Sequence, residues 1–425
     1  MVEFDIHTSI LFDPKQKCIR KNISITVDST SGLIVRVYER TGDVDGFKSD
    51  DIDLRGKFVM PGLVDAHTHV FLHSYDETDA LRQKRDESMT ERIVRAVNHC
   101  RTALLAGYTT YRDLGSEGMQ ECDANLRDAI ARGLTPGPRL FVATKVLAST
   151  GSFEARTENT LGGHCVPAQA DAVDGPEECR KAVRRRIAAG ADVIKYFADY
   201  RRRIMRSPPA QQHPYKASVL HPPKEPNPDY MVFSQEEMNM IVQEAQLARC
   251  PAVAHCCTLE GALGAVEAGV TSIEHVYFAT DELFRRMAAK NVILVPTLAI
   301  AEKLHAKRFD IILSQVKRAH ELGVRLACGG DTGTYSHGEN VRELELMIEA
   351  GIPVADVLEA CTVGGWESCG GDYCGRRFGW FEEGLQADIV ALDEDPHEST
   401  AALRKVNFVM KDGIVWKIEN EPSTM

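Results

Sequence analysis

The sequence predicts an α/β chain, a (β/α)8 TIM-like barrel with a small β-sandwich built from both termini. Three observations lead there. Eight short runs rich in β-branched residues alternate with longer helical patterns through the middle of the chain, the order that builds a parallel barrel. The two ends read instead as short strands joined by tight turns. No Gly-x-Gly-x-x-Gly follows any of the eight runs, so the signature of a doubly wound sheet, the structural rival, is missing. The boundaries fall at 1–59 for the N-terminal part of the sandwich, 60–384 for the barrel and 385–425 for the C-terminal part.

The elements follow in order. Residues 22–27 (NISITV) and 33–38 (LIVRVY) are apolar or alternating and flank a Ser-Thr-Ser-Gly turn, as in a hairpin. The barrel runs are 63–69, 108–113, 138–144, 192–197, 251–256, 271–275, 292–297 and 325–330. Helices between them carry recognisable ends. Ser234 with Glu237 forms a capping box, in which each side chain satisfies an orphan amide of the other residue. Gly269, Asn291 and Gly323 close the helices that start near Thr258, 281 and 309, in the left-handed position that Gly and Asn tolerate. At the C-terminal end, 387–392 and 406–410 are strands, and Lys411-Asp412-Gly413 turns the chain into 414–418. About 35 residues between the fourth run and Ser234 break the pattern, with Arg201-Arg202-Arg203, Arg206 and seven prolines. A connection of that length needs a reason. The insertion near 199–230 is expected above the C-terminal face of the barrel as a lid or substrate wall, with a disordered surface segment as the alternative.

Composition removes several classes. Lys+Arg 50 against Asp+Glu 62 gives a net charge of −12, a poor match to nucleic acid or an anionic membrane. No window approaches 18 uninterrupted apolar residues, and the N-terminus lacks the basic and apolar stretches of a signal peptide. Twelve scattered cysteines without a Cys-x-x-Cys pair read as free thiols in a reducing cytoplasm. The expected partner is a small-molecule substrate, with a homo-oligomer left open.

The chemistry concentrates at the ends of the runs. His67 and His69 close the first, and residues two apart on a strand point to one side, so both imidazoles can serve one metal. Such a pair alone is weak, because chance and satisfied core histidines produce it too. Lys195 in the fourth run, His255 in the fifth, His275 in the sixth and Asp331 after the eighth change its weight, since barrel active sites are assembled from these strand ends. An ammonium would repel a dication. A buried lysine with a depressed pKa is a neutral amine, able to take up CO2 and present a carboxylate that bridges two metals. The alternative, a Schiff-base lysine, has no use for four histidines.

Residues 60–70 (MPGLVDAHTHV), the Val-Ile-Lys lysine, Ala-His of the fifth run, Ile-Glu-His of the sixth and Gly-Gly-Asp-Thr-Gly at 329–333 resemble the amidohydrolase superfamily. The ADIVALDEDP stretch at 387–396 and the closing hairpin resemble its terminal sandwich, and TTYRDLG at 109–115 is similar to the prolidase-like, carboxypeptidase-like and ochratoxinase-type members. The resemblance implies one divalent metal held by His67, His69, carboxylated Lys195 and Asp331. It implies a second held by Lys195, His255 and His275, both usually zinc, with a hydroxide between them. Asp331 is then the proton shuttle, and the reaction is hydrolysis of an amide C–N bond, with N-acyl amino acids or dipeptides as expected substrates. A lactonase or a mononuclear deaminase of the same superfamily is an alternative, although the deaminase sites dispense with the lysine. A non-catalytic scaffold is the alternative from another class, and it should lack some ligands.

Relatives often carry a second, substrate-reaching histidine two residues after the fifth-strand ligand. Here the run is His255-Cys256-Cys257. Cys257 reads as a space-filling side chain, with a nucleophile as the alternative. His164, in the Gly-rich loop TLGGHC, and His337, in TYSHGEN, are candidate substrate contacts; the alternative is a solvated loop histidine for the first and a residue that orients the rim for the second. Tyr196 is expected to pack against helices.

Overall fold

The computed structural model describes residues 3–42, 48–152, 156–157, 165–201, 211–221, 228–418 and 421–422. Strands from both ends of the chain join one nine-stranded sheet. The strand Ile52–Pro61 lies inside it, parallel to Glu3–Asp13 and antiparallel to Ile389–Leu392. Val406–Lys411 and Ile414–Ile418 extend the sheet beyond that. It curls back on itself, because the Ile34 N–H donates to Leu385 O at 2.8 Å and the Gly384 N–H to Ile34 O at 2.8 Å. The concave side encloses Ile6, Ile25, Val27, Val59, Ile389 and Phe408. Gly32 seats one turn on another, since a Cβ there would lie 2.2 Å from Asp412 O.

The middle of the chain is TIM-barrel-like, and the terminal sheet is its extra domain. Parallel strands occupy Leu63–Thr68, Tyr108–Asp113, Arg139–Val142, Ile194–Phe197, Ala252–Cys256, Ser272–His275 and Ile293–Val295, within the seven runs read from the sequence. The third run is followed by a short strand, Val146–Ala148, that pairs with the fourth. The eighth run, 325–330, is not a regular strand. It meets its neighbours through isolated bridges, Leu326 with Leu294 and, just beyond it, Thr332 with Thr68. The reason is the glycine pair. A Cβ on Gly329 would sit 2.5 Å from the His67 N, and one on Gly330 would sit 2.0 Å from the Tyr335 hydroxyl. The segment therefore lies closer to the first strand and its own following loop than a side-chain-bearing ladder allows.

The helix ends follow local chemistry. Gln235–Leu247 starts on the Ser234–Glu237 capping box, and Leu259–Ala268 runs from a Thr258 cap to left-handed Gly269. Asn291 and Gly323 also adopt positive φ after their helices. The insertion leaves and returns through a two-stranded stem, with Asp199–Arg201 antiparallel to Asp229–Met231. A separate hairpin pairs 211–213 with 216–221. Arg202, Arg203 and Arg206 lie outside the described residues. Among the described residues, no helix is long and apolar enough to cross a membrane, and the cysteines whose side chains are described are free thiols.

Candidate metal centre

The C-terminal ends of the parallel strands bring four histidines, Lys195 and Asp331 together. Asp331 Oδ1 lies 3.6 Å from His67 Nε2 and 3.3 Å from His69 Nε2. Ligand atoms of His67, His275 and Asp331 all fall within 4.8 Å of one another. The His255 ring is 4.6 Å from the His275 ring, which is 5.1 Å from that of His67. Several residues at this end hold left-handed backbones, among them His275 at φ 76°, Thr297 at 50° and Asp331 at 65°. Such conformations cost about 1–3 kcal/mol each and gather at functional sites. Strand alternation would turn Glu274 and His275 to opposite sides. The positive φ at His275 brings its ring back among the other imidazoles.

Hydrogen bonds fix which nitrogen each ring presents. His67 Nδ1 donates to Glu274 Oε2 at 2.7 Å. The same carboxylate receives Arg112 at 2.8 Å, so it acts as the acceptor. His69 Nδ1 meets the Gly115 carbonyl at 3.2 Å, which can only accept. His275 Nδ1 lies 2.8 Å from Thr297 Oγ1, whose own hydrogen goes to Pro296 O. In His67 and His69 the Nδ1 partner is an acceptor, so that nitrogen carries a proton and Nε2 is the atom turned toward the centre; His275 Nδ1 also lies 3.3 Å from the Tyr277 hydroxyl.

Burial pushes His67 and His275 below the usual imidazole value, which favours the ligating neutral form. Burial works the same way on His69, but Asp331 and Glu117 overcome it and raise the ring to about 9. Burial opposes the charge of Asp331 too, yet His67 and His69 hold its carboxyl far below the ordinary range. Lys195 is 2 % exposed, its Nζ has no hydrogen-bond partner, and burial brings it down to about 8. An orphaned amine beside imidazole nitrogens and a carboxylate is a donor set that fits divalent metal, with the lysine needing one further reaction to become anionic and the His69 ring the loss of a proton.

Other side chains frame the centre. Arg112, fully buried, donates to Ala66 O, Ser272 Oγ, Ser368 O and Glu274. Sequence reasoning missed this pair; a charged residue in the middle of the run YTTYRD was the available signal. Asp199 is a second omission. Its carboxylate accepts from Cys257 N, Thr258 N and Thr258 Oγ1 at 2.8, 3.0 and 2.7 Å. Phe197 and Tyr200, the latter on the insertion stem, place their rings 4.6 and 5.9 Å from His255. Tyr196 is buried against Phe233, away from the imidazoles, as its strand position predicts. His337 stacks on His99 at 4.3 Å and turns Nε2 toward Leu72 O at 3.2 Å, contacts that brace the rim. His164 lies outside the described residues. A cleft of about 760 Å³ lined by Arg249, Pro251, Thr271, Asn291, Arg325 and Tyr373 opens among residues that precede the strands, at the opposite end from the histidines.

A barrel-like fold whose strand ends converge imidazoles, a lysine and an aspartate defines a metal-dependent hydrolase, and the comparisons agree. The model of the amidohydrolase family matches residues 58–417, and the chain belongs to that family. Ochratoxinase of Aspergillus niger is 29% identical over 394 residues, which cover 84% of this chain and 75% of that protein. The crystal structure of that ochratoxinase superposes with a TM-score of 0.77 at 25% identity, covering 98% of this chain and 96% of the other. A Xaa-Pro dipeptidase with methionine bound in its active site superposes with a TM-score of 0.78 at 28% identity, covering 98% and 100%. The protein is an enzyme, a metal-dependent hydrolase acting on carbon–nitrogen bonds.

Proposed function

We propose that the protein hydrolyses the amide bond of N-acyl amino acids or dipeptides at a binuclear metal centre inside a closed eight-stranded barrel, residues 60–384, with 1–59 and 385–425 forming the terminal domain. His67, His69, Lys195 and Asp331 would hold one divalent ion, and Lys195, His255 and His275 the other. The observation that carries this is the Nε2 atoms of His67 and His69 within 3.6 Å of Asp331, together with a buried Lys195 whose Nζ has no hydrogen-bond partner. Such ions, zinc in this reading, supply polarisation of the scissile carbonyl and a water acidified to near neutrality.

The side chains do the rest. With its amine at about 8, a share of Lys195 is neutral at pH 7. Its nitrogen bonds the carbon of CO2, one proton leaves to solvent, and a carbamate results. Asp331 accepts the proton of the attacking water and passes it to the leaving nitrogen. Glu274 keeps the His67 ring turned toward the centre. Phe197 and Tyr200 supply an apolar wall, and His164 and His337 are assigned to the substrate side. The substrate class rests on similarity to a dipeptidase and an ochratoxinase.

The test is elemental analysis of protein purified with bicarbonate present, followed by assays on N-acyl amino acids, dipeptides and lactones. About two metals per chain and amide hydrolysis are expected. One metal would return the deaminase reading, hydrolysis of lactones alone the lactonase, and no metal after reconstitution the scaffold.

A further inference from the structure

We infer that Cys257 is a ligand of the second metal, bound as a thiolate beside His255, and that the centre thereby favours soft divalent ions. This rests on the binuclear reading above. His255 and Cys257 are two residues apart at the end of the fifth strand, so they share a side, whereas Cys256 between them is buried in the core. Cys257 Sγ lies 3.3 Å from His255 Nε2. Zinc binds sulfur at about 2.3 Å and imidazole nitrogen at about 2.0–2.1 Å, which across a tetrahedral angle places the two donors roughly 3.5 Å apart. The observed separation is that of a thiol–imidazole hydrogen bond and is also compatible with two ligands sharing one ion.

The position of Cys257 is built. Asp199, fully buried, receives its backbone N–H and both donors of Thr258. Ligand atoms of Asp199, His255 and Cys257 fall within 4.8 Å of one another. Both Asp199 oxygens are engaged by the strand end, so the aspartate anchors the backbone on which the cysteine sits. Two further features join this pair to the rest of the centre. The His255 ring abuts that of His275 at 4.6 Å, and Lys195 Nζ is buried without a hydrogen-bond partner. Coordination forms one metal–sulfur bond and releases the thiol proton to solvent, with no change of oxidation state. Thiolate selects zinc, cobalt or cadmium over magnesium or manganese. On this account the cysteine replaces a substrate contact by a metal contact, and substrate selection passes to the insertion and its stem.

The experiment loads metal-depleted protein with Co(II) in bicarbonate buffer. It reads cobalt per chain together with the near-ultraviolet thiolate-to-cobalt charge-transfer band, in the parent protein, Cys257→Ala and Cys256→Ala, with circular dichroism as the folding check. About two cobalt ions and a clear band are expected in the parent and in Cys256→Ala. Cys257→Ala should lose the band and bind its second ion about 10- to 100-fold more weakly. Two ions without a band, or a band that survives in Cys257→Ala, would overturn the ligand and leave the binuclear reading standing. A single ion at saturation would overturn both.

Discussion

Asp331, held in a left-handed backbone and within 3.6 Å of two imidazoles, is the side chain on which turnover should depend most. Asp331→Asn keeps the shape and removes the proton acceptor, so kcat should fall by about 10²- to 10⁴-fold. A fully active variant would end its role in proton transfer. Glu274→Gln acts on two neighbours at once. It leaves the Arg112 guanidinium, fully buried, without its counter-charge, and breaking such a pair costs about 3–5 kcal/mol. It also weakens the acceptor that orients His67, which should lower metal affinity about 10- to 100-fold. Thermal melts and metal titration read the two effects separately, and a variant unchanged in both would remove Glu274 from any positioning role. The imidazoles and Asp331 were legible in the sequence because each closes a recognisable strand run. Glu274 and Arg112 were not, because a charge inside a strand names no partner, and theirs lie more than 150 positions apart.

Among elements, the helix Leu259–Ala268 has the tightest fit to the centre. A Cβ on Gly261 would sit 2.1 Å from Asp199 Oδ2. In an exposed helix, Gly→Ala gains about 1 kcal/mol of propensity. Here the clash should outweigh it, because the carboxylate is pinned by three hydrogen bonds. Gly261→Ala should lose about 1–3 kcal/mol and disturb the end of the fifth strand, seen as a lower melting temperature together with weaker metal binding; a stabilised variant would show that Asp199 can move. Helix starts and stops such as Ser234–Glu237 and Gly269 were readable because capping is local chemistry. The eighth run was overread as a strand, since its glycines meet His67 and Tyr335, contacts absent from any local pattern. The stem pairing Tyr200 with Tyr230 was equally invisible, because antiparallel register across a long insertion is a tertiary property.

Across the whole molecule, Arg139 on the third barrel strand ties the barrel to the terminal sheet. It donates to Asp388 at 2.8 Å and to Asp412 in the closing hairpin. Burial opposes the Asp412 charge, but Arg139 and Lys411 hold its carboxyl at about 2, against about 3.9 for an ordinary aspartate. The folded value is depressed, so this contribution is complete above about pH 4 and is lost as pH falls toward 2. Thermal melts between about pH 5 and pH 2.5 should therefore fall less steeply for Asp412→Asn than for the parent; equal slopes would remove the clasp from acid stability. The sequence announced a terminal domain drawn from both ends. It did not announce this clasp, which needs three residues from distant stretches to be seen side by side.

The pairing of Ile52–Pro61 with Ile389–Leu392 spans more than 300 residues, and that has a temporal meaning. At about 5–20 residues per second of synthesis, the earlier strand emerges from the ribosome tens of seconds before its neighbour exists. Through that interval the edge carrying Phe58, Val59 and Met60, all buried in the finished protein, is available to any other unpaired strand. Newly made chains should depend on holding chaperones in inverse proportion to the rate of translation downstream of residue 61, and slow codons late in the message should depress the yield of native enzyme.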